Sequence, residues 1–354
     1  MVDKGTSGPQ VRGQIWRDGK PVDGFELAKV SDCIDDPSTM IWADLVDPSH
    51  ETLSALADEL DLNRWAVEDA LAASERVKAT GYAHHTFITV YAVAFDRAAA
   101  SPDSELDVEF AENALKVQRI SMFLVGNALI TVRLTAGRDA ADDRSAVFDM
   151  DDVVARWDEI GGLERGVGSL LHGLLDVVVD GHFEAVQQLD DAIEDLESML
   201  FDDSTGSRSL QRRTYLLRKN LVALRRVVLP MREVVSLIQR RRDALGSSDR
   251  LDAEFTDLYD HVLRATEWTE SLRDMVTTVF ETNLSLQDAR LNTVMKKLTG
   301  WAAIIAVPTA ITGFYGQNVP FPGFEHTAGF VTSVVLLLTA MVVLYVLFKR
   351  RDWL

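Results

Sequence analysis

The chain runs to 354 residues, 47% of them hydrophobic, with 55 acidic against 36 basic side chains and a formal net charge of −19 at pH 7. That length allows two or three domains, and the acidic excess argues against a nucleic-acid partner, because a phosphate backbone is bound by clustered Lys and Arg. With Cys33 as its only cysteine the chain forms no intramolecular disulfide, and no Cys/His spacing suggests a zinc site.

Residues 1–10 are rich in Gly, Ser and Pro and are expected to be disordered. No apolar segment near them reads as a signal peptide, so the soluble bulk is expected in the cytosol. Residues 11–160 read as an α/β domain, a sheet flanked by helices. Strands are predicted at 39–45, 86–95, 106–118, 121–125 and 128–134, where β-branched or alternating residues dominate, and a helix starts at Asp47-Pro48-Ser49 and runs to residue 60. His84 and His85 are adjacent where a strand begins, so they point to opposite faces and do not share a metal. No Gly-rich phosphate loop, nucleophile elbow or HExxH pattern occurs, and nothing supports an enzyme.

Residues 161–249 read as a pair of helices. The first, 166–200, ends in an acidic run from Asp190 to Glu197; a polar loop, 202–207, follows. The second, 208–245, is rich in arginine, including Arg212, Arg213, Arg218, Arg225 and Arg226, and is expected to kink at Pro230. Facing charges on an antiparallel pair and two separately solvated faces are equally compatible with this pattern. From residue 250 there is no Gly or Pro until Gly300, so one stalk helix is expected over 250–317, roughly 85 to 100 Å at 1.5 Å per residue.

The C-terminal part is apolar. Residues 298–324 carry no charged side chain, and after Glu325 and His326 a second uncharged run spans 327–348. Each is long enough to cross a bilayer as a helix, which needs about 20 apolar residues. The joining segment, 318–326, turns through Pro320, Pro322 and Gly323. Lys296 and Lys297 before the first span, and Lys349, Arg350 and Arg351 in the tail 349–354, place both termini on the cytoplasmic side of a multi-pass inner (plasma) membrane protein. Within the first span Asn292, Met295, Thr299, Ala302, Ala306, Thr309 and Gly313 recur at alternating steps of three and four, so they share one face. This small and polar face suits either tight helix packing or the lining of a pore, and a single hairpin encloses a pore only as part of an oligomer.

The stretch Asn292-Thr293-Val294-Met295-Lys296, then Leu298-Thr299, Pro308, Gly313-Phe314-Tyr315-Gly316-Gln317-Asn318 and the closing Lys349-Arg350-Arg351-Asp352-Trp353-Leu354, resembles CorA-type magnesium transporters. Upstream, Glu68-Asp69-Ala70-Leu71, Arg218-Lys219-Asn220-Leu221-Val222, Pro230-Met231-Arg232-Glu233-Val234 and Asp257-Leu258-Tyr259-Asp260-His261 are similar too. One position departs: the family signature is Gly-Met-Asn, and here Gln317 stands for the methionine. The resemblance implies an α+β cytosolic domain with a mixed sheet flanked by helices, followed by long helices and a two-helix transmembrane hairpin, assembled as a funnel-shaped homopentamer in the lipid bilayer.

It further implies a channel for divalent cations, Mg²⁺ and with it Co²⁺ or Ni²⁺, with no organic cofactor. Gly316, Gln317 and Asn318 would form the selectivity filter, hydrogen-bonding the water shell of an ion that dehydrates reluctantly. The stripe residues would line the pore, with Met295 and Leu298 as an apolar neck that gates by dewetting. Asp257, paired with Asp96 of a neighbouring subunit, would hold a regulatory Mg²⁺ in the cytosol, and Lys296, Lys297, Lys349, Arg350 and Arg351 would form a basic collar. The zinc branch of the superfamily also lacks the methionine, so a zinc transporter is the alternative within the class. A membrane-anchored Mg²⁺ sensor or scaffold that does not conduct is the alternative outside it.

Overall fold

The computed structural model describes residues 10–34, 36, 38–96, 114–134, 147–159, 166–201, 207–241, 251–317, 320–324 and 326–353. Among them the chain divides into two compact units, 1–279 and 280–354.

The first unit is built on a seven-stranded mixed sheet. Its strands are β1 (Gln10–Arg17), β2 (Lys20–Val22), β3 (Thr39–Val46), β4 (Lys78–Gly81), β5 (His85–Phe95), β6 (Leu115–Val125) and β7 (Ala128–Arg133), in the order β2-β1-β3-β7-β6-β5-β4. Only β3 and β7 run parallel. Two-residue turns set the registers of two hairpins. Asp18 and Gly19 both hold positive φ between β1 and β2, and Gly126 holds φ 52° before Asn127 between β6 and β7.

On one face lie α2 (His50–Glu59) and α3 (Arg64–Leu71), which follow the short α1 (Val30–Cys33). Side-chain caps start both longer helices: Ser49 Oγ accepts from the Thr52 N–H at 3.0 Å and Asn63 Oδ1 from the Trp65 N–H at 2.9 Å. Leu53, Leu56, Ala66 and Ala70 close over Ile41, Leu45, Phe87, Phe123 and Ile130, all buried. Against the rest of the unit pack α4 (Met150–Glu159) and α5 (Val167–Leu200). The His182 Nε2–H of α5 donates to the Tyr91 carbonyl of β5 at 2.8 Å, and the Trp157 Nε1–H of α4 donates to Ser169 Oγ of α5 at 2.8 Å. The two adjacent histidines part, but at the strand's edge rather than by its period: His84 lies exposed in the bend before β5, and His85, the first residue of β5, is buried and stacked on Tyr82.

Several elements differ from the sequence reading. β6 is one strand, where separate strands at 106–118 and 121–125 were expected; residues 106–113 lie outside the described ones. The charged Arg119 does not interrupt it, because its Nη2 donates to the Ala70 carbonyl at the end of α3, 2.9 Å away. The arginine-rich segment does not kink but breaks, into α6 (Ser207–Val228) and α7 (Met231–Arg240). Pro230 has no N–H for the preceding turn and instead caps α7, its carbonyl accepting from the Glu233 N–H at 3.0 Å. α7 also stops short of 245, where Arg241 turns to donate to the Tyr82 carbonyl at 3.0 Å and to Thr86 Oγ1 at 3.2 Å. Arg225 of the basic helix pairs with Glu270 of α8 (Asp252–Tyr315), Nε to Oε1 at 2.5 Å.

α8 is a single helix of 64 residues, and the boundary between the two units falls inside it. The second unit holds its C-terminal part and α9 (Thr327–Arg350). Both helices are long and apolar enough to cross a membrane. On α9 one stripe is buried or half-buried, Gly329, Ser333, Leu337, Met341, Leu344 and Phe348; on α8 the corresponding stripe is Gly300, Ile304, Val307, Ile311 and Tyr315. These are the least exposed sides of the two helices; Gly329 faces Gly323, and Tyr315 meets the Phe321 ring. The remaining faces expose large apolar side chains, Ile305 and Phe330 among them, a surface suited to hydrocarbon rather than water.

Candidate functional site

The small and polar stripe of the first span lies on the side of α8 away from its buried stripe. Ala302, Ala306, Thr309 and Gly313 each follow a buried or half-buried residue, Gly300, Ile304, Val307 and Ile311, by two positions, about 200° around a helix. All four are exposed, as are Asn292, Met295, Leu298 and Thr299 further down. A Cβ built on Gly313 would meet nothing. The stripe is therefore not consumed by packing against α9. Thr309 Oγ1 donates to the Ile305 carbonyl at 2.9 Å, which holds the hydroxyl to the helix wall.

The stripe ends where the helix does. The Gly316 N–H donates to the Thr312 carbonyl at 2.9 Å and the Gln317 N–H to the Phe314 carbonyl at 3.3 Å, so Gly316 and Gln317 form the closing turn, both exposed. Asn318 and Glu325 lie outside the described residues. Lys296, Lys297, Lys349, Arg350 and Arg351 are exposed, the last three at the C-terminal end of α9, where cations oppose the helix dipole. There Lys349 Nζ lies over the Tyr345 ring at 5.8 Å and Trp353 stacks on Phe348 at 5.5 Å.

In the first unit Asp257 is 71% exposed on α8, with His261 Nε2 3.8 Å from its Oδ2. Asp96 is exposed at the end of β5, its N–H donating to the Ala114 carbonyl at 2.8 Å. Among the described residues no three His, Cys, Asp or Glu side chains of one chain group to hold a metal. Near His261 lies a set of charges that sequence reasoning missed. Arg156 of α4 binds both Asp176, Nε to Oδ2 at 3.2 Å, and Asp180 of α5. Burial raises the pKa of Asp180, with Asp176 adding to it and Arg156 and His261 opposing it. The one-turn spacing of Asp176 and Asp180 was the only signal, and it is shared by many solvated helix faces.

Residues 37–350 match the family model described as CorA-like Mg²⁺ transporter protein. The chain belongs to this family. CorA-like proteins are divalent-cation transporters of membranes and not enzymes, which agrees with the two spans and the lack of catalytic motifs. The chain is 26% identical over 322 residues to the cobalt/magnesium transport protein CorA of Thermotoga maritima, covering 90% of this chain and 85% of that one. It is 25% identical over 321 residues to the zinc transport protein ZntB of Yersinia enterocolitica, covering 88% of each. Its fold matches the complete structure of the CorA magnesium transporter from Methanocaldococcus jannaschii with a TM-score of 0.71 at 22% identity, over 97% of this chain and 98% of that one. The mixed sheet, the long helices and the paired apolar helices are thus the CorA fold.

Proposed function

We propose that this CorA-like chain assembles as a homopentamer about the α8 stripe and conducts Mg²⁺ inward down the membrane potential, closing when cytosolic Mg²⁺ binds between protomers. The observation that carries the reading is the stripe, small, polar and exposed on the side of α8 away from its buried residues, and continuous to Gly316. Mg²⁺ keeps its waters, so Gly316, Gln317 and Asn318 act on the hydrated ion, and Met295 and Leu298 make the dewettable neck. The exposed carboxylates of Asp257 and, from the neighbouring protomer, Asp96 supply the oxygen donors that a hard cation takes. Without the ion they repel and loosen the interface. The positive flanks at Lys296, Lys297 and Lys349 to Arg351 put both termini in the cytoplasm.

Zinc is the second reading, favoured by Gln317 in place of the family methionine and by the similarity to a zinc transport protein. Uptake into proteoliposomes with a trapped Mg²⁺ or Zn²⁺ dye separates the two. Mg²⁺ uptake that disappears in Asn318→Ala supports the reading; uptake of Zn²⁺ alone replaces it, and uptake of neither ion overturns transport.

A further inference from the structure

The segment between the spans is more than a connector. Phe321-Pro322-Gly323-Phe324 is a β-turn closed by the Phe324 N–H donating to the Phe321 carbonyl at 2.9 Å. Proline at its second position and Gly323 at φ 90° give it type II chemistry. This turn is seated on the start of α9 backbone to backbone. A Cβ on Gly323 would lie 2.9 Å from Gly329 Cα and 3.1 Å from Gly329 N, and a Cβ on Gly329 would collide with the Gly323 carbonyl. Two further bonds tie the same residues: the His326 N–H donates to the Gly323 carbonyl at 3.1 Å and the Gly329 N–H to the His326 carbonyl at 3.0 Å. On its other side the turn reaches α8, where the Phe321 ring meets Tyr315 edge-on at 4.9 Å and Phe324 edge-on at 5.3 Å. Tyr315 immediately precedes Gly316.

We propose that this glycine contact and ring chain form a strut between the two spans, and that Gly323 and Gly329 are positioning residues for ion recognition at Gly316 and Gln317. The inference rests on the conduction reading above. A mouth that hydrogen-bonds an ion's outer waters works only at one width, and neither glycine touches the ion. The strut sets that width by removing the freedom of the last turn of α8 to splay outward. A methyl group on Gly329 has no flexible neighbour to displace, since what it meets is backbone, so the turn must lift and draw Tyr315 with it.

The test is Mg²⁺ uptake by purified full-length protein in proteoliposomes, measured against external Mg²⁺ for the unsubstituted chain, Gly329→Ala and Phe321→Leu. Phe321→Leu removes the middle ring without adding an atom at the glycine contact, and so remains informative if Gly329→Ala does not assemble. The expected result is an apparent KM raised about tenfold in each variant that assembles, with the maximal rate changed less than twofold. A variant that assembles with an unchanged KM, or that loses only maximal rate, overturns the proposal. No uptake by the unsubstituted chain overturns the conduction reading and the strut's role with it, an outcome distinct from a conducting variant of normal KM.

Discussion

At the scale of single residues, two groups carry separable expectations. Gln317 is exposed at the closing turn of α8, so its amide is not packed behind the turn within its own chain. Replacing it with methionine removes one hydrogen-bonding group of about 1 kcal/mol. The Mg²⁺ to Zn²⁺ uptake ratio of Gln317→Met should therefore shift about fivefold from that of the unsubstituted protein; an equal ratio places Gln317 outside the ion path. His182 is buried, and burial lowers its pKa to about 4, with the bond to the Tyr91 carbonyl opposing the shift only in part. Its folded pKa lies below its unfolded value near 6.5, so the stability it contributes is complete above that pH. It is lost as pH falls toward 4, by about 3 kcal/mol, because only the unfolded chain binds the proton there. Thermal unfolding of the detergent-solubilised protein between pH 7 and 4.5 should show this slope, and His182→Gln should flatten it. His85, also lowered by burial, adds a remainder of the same sign. The sequence marked His84 and His85 as parted by the strand period, but gave no sign of His182, whose carbonyl partner is 91 positions away.

At the scale of elements, periodicity made the long helices legible and topology hid the rest. The stripe from Asn292 to Gly313 could be read because its residues lie one turn apart on a single helix. Strand β1 and the two edge strands β2 and β4 were not predicted, since their pairing is fixed by partners and turns rather than by apolar alternation; β2 is exposed throughout. The end of α7 was misplaced for a related reason. Arg241 leaves the helix for Tyr82 and Thr86, a contact that no local pattern encodes. The stripe yields a direct comparison on α8. Ala306→Leu puts three more carbons on the proposed lumen side and should cut Mg²⁺ uptake more than tenfold with assembly intact, whereas Ile305→Leu, volume-conserving and on a different face of the same turn, should leave uptake unchanged. Equal effects would assign the stripe to packing.

At the scale of the whole molecule, the proposed sensor and conduction path share one helix. Asp257 lies near the start of α8 and the stripe near its end, with no break between. Because Asp257 is largely exposed, Asp257→Ala should change stability by no more than about 0.5 kcal/mol. Its signature should be functional: several-fold more internal Mg²⁺ needed for half-inhibition of uptake, with uptake at low internal Mg²⁺ unaltered. An unchanged inhibition curve removes Asp257 from the sensor. The Thr309 hydroxyl carries a last consequence. Its hydrogen is committed to the Ile305 carbonyl, so the oxygen has only lone pairs left to offer outward. Water around a cation turns its hydrogens away from the ion, and water around an anion turns its oxygens away. A ring of such threonines would therefore accept bonds from the shell of a hydrated cation and offer none to that of an anion, so that the sign of the permeating charge is chosen with no charged side chain in the wall.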